Sequence, residues 1–153
     1  MIRQTRARPP SAGFTLVEMI VVVMVLSVLA VVAMPRMSGR NDFDTLAFHD
    51  RALAAVRYAQ KVAVAQNTTV FVITAGNVLS LCFDAGCALA VNDPAATQAL
   101  TLTAPSGTTL TSSAGSFSFD GLGRPSGGAV TFTVGGTPIR TFTVEQETGY
   151  VHP

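Results

Sequence analysis

Charge is scarce in this sequence: Asp, Glu, Lys and Arg make up only 12% of its 153 residues, about half the usual quarter. The formal net charge is +1, so a broad phosphate-binding surface, which needs clustered Lys and Arg, has no support. With only 2 Cys and 2 His, there are too few soft ligands for a zinc framework unless carboxylates complete it. What is abundant is apolar: AVILMFWYC residues reach 48%, beside 13 Gly. That composition argues against disorder and against a long charged coiled coil. The length suits one domain rather than a multidomain enzyme.

The apolar residues are concentrated. From Phe14 to Met34, 18 of 21 residues are apolar, the exceptions being Thr15, Glu18 and Ser27. As a helix this run is roughly 31 Å long, which matches a bilayer's hydrocarbon thickness. Arg3, Arg6 and Arg8 precede it with no acid, and Pro35, Arg36 and Arg40 follow it, a weak bias toward a cytoplasmic N-terminus. A cleaved secretory signal is the main competing reading. Its apolar core should be about 7–15 residues, uncharged, and followed by small residues, whereas here Glu18 lies inside and Val31-Val32-Ala33 is a poor cleavage site. A plain uncleaved anchor leaves Glu18 unexplained.

A carboxylate in an apolar layer costs about 3 kcal/mol, so it needs a partner or a task. If the chain is cut between Gly13 and Phe14, the new α-ammonium heads the helix and Glu18 becomes the fifth residue. Opposite charges then lie at similar depth and can neutralise each other within one chain, or between staggered neighbours in a bundle. The run Gly13, Phe14, Thr15, Leu16, Val17, Glu18 followed by the apolar stretch resembles the type IV prepilin signature. The resemblance implies cleavage by a prepilin peptidase after Gly13, N-methylation of Phe14, and a role for Glu18 in registering subunits during assembly. It also implies a single-pass inner-membrane protein, N-terminus cytoplasmic and C-terminal domain periplasmic, later drawn into a filament. The expected organisation is a leader at 1–13, a transmembrane assembly helix at 14–35 and an exported globular domain at 36–153.

Within that domain, Asn41 to Gln66 lacks Pro and Gly and starts with two capping residues, Asn41 and Asp42, which predicts a helix over 41–66. Phe43, Leu46, Ala47, Leu53, Ala54, Tyr58, Val64 and Ala65 form one apolar stripe, and Phe48, Ala55, Ala59 and Val62 another. One stripe suits the chain's own sheet and the other suits neighbours in a filament; the competing reading buries the whole helix in its own domain. Pro35 and Gly39 suggest a kink or partial melting between the two helical runs. Beyond Asn67 the period changes to two. Val70–Thr74, Val78–Phe83, Thr101–Thr103, Thr108–Thr111, Ser116–Phe119, Ala129–Val134 and Arg140–Val144 read as strands within 69–152, with tight hairpins expected at Gly76-Asn77 and Gly135-Gly136. The fold class is α+β: a long N-terminal helix packed on an antiparallel β-sheet domain.

Cys82 and Cys87 flank a short loop. An oxidising compartment permits a disulfide there; two free thiols are the alternative, and a metal site would need two further ligands that are absent nearby. The segments RYAQKVAVAQN (57–67), LCFDAGC (81–87), FSFDGLGRP (117–125) and FTVEQETGYVH (142–152) together resemble the GspH/FimT group of minor pilins and pseudopilins. Within that group they are most similar to the minor pilin MshC of mannose-sensitive haemagglutinin (MSHA) pili, while 88–113 aligns with nothing clearly. The resemblance implies a subunit that initiates or builds an MSHA-type filament, or alternatively a GspH-like pseudopilin of a type II secretion system. Its partners would be prepilin peptidase, other major and minor pilins or pseudopilins, the inner-membrane assembly platform and membrane lipid.

Catalysis finds little support. There is no G-x-S-x-G, and Gly121, Gly123 and Gly127 miss the dinucleotide-binding spacing by one residue and open no helix. His49 stands next to Asp50, where adjacent helical residues face different ways, and His152 is near the C-terminus. No enzyme activity, cofactor or metal is expected. Some FimT-like pilins take up DNA through basic residues, but beyond Lys61 only Arg124 and Arg140 are basic, so nucleic acid is not an expected partner.

Overall fold

The computed structural model describes residues 15–38 and 40–153. The chain divides into two units, residues 1–38 and 39–153. The expected leader at 1–13, Phe14 and Gly39 lie outside the described residues, and with Gly39 the melting expected there.

The first unit contributes helix α1, Leu16–Ser38. Thr15 caps it: its Oγ1 accepts from the Glu18 backbone N–H at 3.2 Å, and its carbonyl accepts from Met19 N–H at 3.2 Å. This is the N-cap arrangement, with a glutamate three residues on as in a capping box. Pro35 does not end the helix, which carries on to Ser38; a proline near a helix end removes a single donor and leaves the last turn able to continue. Ser27 Oγ donates to the Val23 carbonyl at 2.7 Å, so this hydroxyl is satisfied within the helix itself. The large apolar side chains from Leu16 to Val31 are all exposed, on every side. Among the described residues no helix is long and apolar enough to cross a membrane. The run Phe14–Met34 begins and ends outside the described side chains, which cover only 15–31 of it.

The second unit opens with α2, Arg40–Gln66. It ends in a Schellman arrangement: Asn67 takes a left-handed conformation (φ 46°), with Thr68 N–H donating to the Ala63 carbonyl and Asn67 N–H to that of Val64. Phe48, Ala52, Leu53, Ala55, Val56, Ala59, Val62 and Ala63 are buried. The second of the two sequence stripes therefore faces the chain's own sheets, and the small alanines let the helix approach closely. Phe43 and Val64, from the other stripe, stay 75% and 50% exposed, so the helix is not wholly buried in its own domain.

Eight strands follow: β1 Val70–Ala75, β2 Val78–Cys82, β3 Thr101–Thr103, β4 Thr109–Ser112, β5 Ser116–Phe119, β6 Val130–Gly135, β7 Arg140–Val144 and β8 Val151–His152. They form two four-stranded antiparallel sheets, ordered β3-β2-β1-β5 and β4-β6-β7-β8. The Pro105–Gly107 turn thus passes from one sheet to the other. Alternation decides the faces: Val70 and Val72, Phe117 and Phe119, Val130, Phe132 and Val134, and Phe142 and Val144 point inward. Phe132 stacks on Phe142 at 4.7 Å and meets Phe117 at 6.1 Å, while Phe117 meets Phe119 edge-on at 5.1 Å.

Two turns instruct by contrast. Gly76 (φ 56°) and Asn77 make the two-residue connection anticipated, with Ala75 paired to Val78. Gly135-Gly136 does not. The register Val134↔Arg140 leaves a longer loop, because Pro138 within it has no N–H to offer the ladder. Gly136 is needed for another reason: a Cβ there would lie 2.5 Å from Thr45 Oγ1 on α2.

Candidate functional site: the assembly helix and the junction that braces the domain

Glu18 lies in the first turn of α1, the third residue after the Thr15 cap. A carboxylate there is favoured by the helix dipole as well as by any partner chain. The Thr15 cap was readable in the T-x-x-E spacing, and sequence reasoning on Glu18 passed over it.

The four sequence segments singled out above lie on the second unit, and three of them converge. Arg57 on α2 donates from Nε and Nη2 to the Val151 carbonyl at 3.0 and 2.7 Å. One turn on, Gln60 Nε2 donates to the carbonyls of Gly123 (3.0 Å) and Thr148 (2.9 Å). The loops cross so closely that a Cβ on Gly149 (φ 64°) would strike the Gly123 carbonyl. Glycine is required at that crossing by both space and backbone conformation. The fourth segment closes separately: Cys82 and Cys87 form a disulfide with Cα atoms 5.1 Å apart.

The acids of these loops shape backbone rather than chemistry. Asp84 accepts from the N–H groups of Ala88 (2.9 Å) and Leu89 (2.7 Å), which hold its carboxyl below the usual carboxylate range. The Arg124 N–H and then the Leu122 N–H do the same for Asp120, with the Arg124 guanidinium adding to them. His152 presents Nε2 to Glu145 Oε1 at 2.8 Å and Nδ1 to the Pro153 carbonyl at 3.1 Å. Both neighbours are acceptors, so the doubly protonated ring is favoured and the pKa rises, Glu145 contributing most.

His49 corrects an expectation. It is buried, its ring edge-on to Phe142 at 5.6 Å, and its Nδ1 meets Asp50 Oδ1 at 3.0 Å although the two residues are adjacent on the helix. The short Asp side chain folds back along the surface to reach it. No group of His, Cys, Asp and Glu among the described residues is arranged to hold a metal ion.

Comparison with known proteins fits a structural subunit. Residues 50–148 match the family described as type II transport protein GspH. The chain belongs to the GspH family. Residues 8–34 match the prokaryotic N-terminal methylation motif, which implies processing by prepilin peptidase and assembly with other pilins. GspH membership with this motif makes the chain a pilin-like minor pilin or pseudopilin of the inner membrane and periplasm, not an enzyme. Two crystal forms of the type IV minor pilin FimU of Pseudomonas aeruginosa share the fold. The P21 form gives a TM-score of 0.56 at 14% identity, covering 76% of this chain and 89% of FimU. The P65 form gives 0.53 at 17%, covering 70% and 90%. No curated protein matches the sequence.

Proposed function

We propose that this GspH-family chain is a minor pilin of a type IV, MSHA-type pilus, made as a prepilin and assembled through its N-terminal helix to initiate or build the filament. Prepilin peptidase cuts between Gly13 and Phe14, and Phe14 becomes the N-methylated terminus. The helix over 14–35 spans the inner membrane once with its N-terminus cytoplasmic, and 36–153 forms the periplasmic domain. Glu18 sets the register between neighbours, because moving it from lipid beside another subunit's α-ammonium satisfies both charges. The observation that carries this reading is the joint presence of the methylation motif over 8–34 and the GspH match over 50–148.

Co-expression with prepilin peptidase tests it: mass spectrometry should find a mature N-terminus at methylated Phe14. An intact Met1, or a terminus after Ala33, overturns it. The family's description as a type II transport protein favours a second reading, a pseudopilin of a secretion system. Affinity capture of the native filament separates the two, since co-purifying pilus subunits support the first and secretion subunits the second.

A further inference from the structure

We propose that the groove between α2 and the head of β7 is a carboxylate-binding site whose occupant is an acidic side chain of the adjoining subunit in the filament. This rests on the filament-subunit reading. The groove encloses about 460 Å³, and its walls include His49, Asp50, Ala54 and Arg57 from α2, Arg140 from β7, and Pro153. Positions 50, 54 and 57 recur at helical spacing and so share one side of α2.

Two guanidinium groups, Arg57 and Arg140, line it together with one carboxylate, Asp50, and neither arginine is ion-paired to that acid. Arg57 is fixed along one edge by the Val151 carbonyl. A guanidinium carries five N–H groups in a planar fork, so its Nη1 remains for an acceptor entering the groove. Arg140 is exposed, and among the described residues its side chain makes no ion pair. The acid of the groove turns one oxygen to its neighbour rather than to an arginine: Asp50 Oδ1 lies 3.0 Å from His49 Nδ1. The Pro153 carbonyl is turned to His152. The groove therefore offers two charged donors, one of them pre-oriented, to a planar anion.

The charge count selects among anions. A nucleic acid needs a train of cations following its phosphates, and from 36 to 153 there are 7 basic residues against 8 acidic ones. Two arginines in one groove match a single carboxylate, the group a guanidinium fork recognises best. In a filament, neighbouring domains are tethered side by side, and the high effective concentration makes a modest contact sufficient.

The test uses the full-length chain in its own bacterium with a photo-cross-linking residue at Ala54. The expected adduct joins another pilin-like subunit at or beside an Asp or Glu. Its yield should fall about fivefold in Arg140→Gln, the loss of one surface charge pair. It should recover when Arg140→Glu is combined with Arg at the cross-linked acid. An unchanged urea midpoint for Arg140→Gln shows that the domain still folds. A yield indifferent to Arg140→Gln, an adduct at a site with no acid, or an adduct to nucleic acid overturns the site. Filaments that contain the chain but show no Arg140-dependent contact overturn the site alone. Filaments without the chain overturn the subunit reading and the site with it.

Discussion

Helix α1 and the domain that follows it both carry large apolar side chains, yet they use them in opposite ways. In α1 the large side chains from Leu16 to Val31 are 45–76% exposed, whereas Phe119, Phe132 and Phe142 in the domain are 0% exposed. The difference is one of pattern. The domain alternates apolar and polar with period two, so each strand has a face to bury and a face to wet. Among its described side chains, up to Val31, helix α1 is apolar on every side and buries none of them, so that surface is left for lipid or other helices. At the usual return per side chain, burying its 13 large residues is worth on the order of 20 kcal/mol. Apolar content alone does not make a core; a helix without a polar face belongs to an environment rather than to a fold.

The sharpest way to break the comparison is at the phenylalanine cluster. Phe132→Ala should cost the domain about 4 kcal/mol by urea denaturation, with no counterpart when Val23 or Val25 is truncated in α1. Gly149→Ala should cost about 3 kcal/mol, since the added methyl strikes the Gly123 carbonyl and the backbone conformation is adverse; an unchanged midpoint would show that the crossing can relax. Opening the disulfide by Cys82→Ala with Cys87→Ala should cost roughly 2 kcal/mol, from loop closure on the chain-entropy account.

Glu18 should reverse the ranking. Glu18→Ala is expected to leave domain stability within about 0.5 kcal/mol while reducing incorporation into filaments severely. Glu18→Gln keeps the capping geometry and removes only the charge. Incorporation lost in both variants supports charge registration; incorporation restored by Gln shows that a polar side chain suffices and the charge does not set the register.

The smallest effect is in pH. The folded pKa of His152 lies above its unfolded value, so its pairing with Glu145 stabilises fully below about pH 6.5 and is lost as pH rises through the folded value. Asp84 is shifted down, so its contribution is present above the ordinary carboxylate range and lost as pH falls through its lowered value. NMR titration of both groups checks the two directions, and a His152 value below 6.5 would contradict the pairing.

The strands were legible because Val, Phe and Thr alternate with little interruption, and α2 because no Gly or Pro breaks it. Less legible were features set by distant partners. The segment from Leu89 to Leu100 runs along β2, with Val91 N–H donating to the Leu81 carbonyl and Leu100 N–H to that of Val91, but its Pro, Asp and Asn mask any alternation. The split into two sheets was likewise invisible, because nothing local in Thr101–Thr103 or Thr109–Ser112 says which neighbour each will pair with. Gly136 shows the same limit: its residue type suggested a tight turn, and its reason is a threonine 91 positions earlier in the sequence. At the candidate site the GFTLVE run declared itself, whereas the Arg57–Arg140 groove arises only when β7 is laid beside α2.

The bonds from Arg57 and Gln60 also have a mechanical meaning. They attach α2 to the carbonyls of Gly123, Thr148 and Val151, two of which belong to the last six residues of the chain. A tension entering through α2 is therefore passed directly to β8 and to the loops at Gly123 and Thr148 as well as along the backbone. Cutting two of these bonds at once, as in Gln60→Ala, should raise the unfolding rate under force, the quantity that governs forced unfolding, more than it lowers stability at rest.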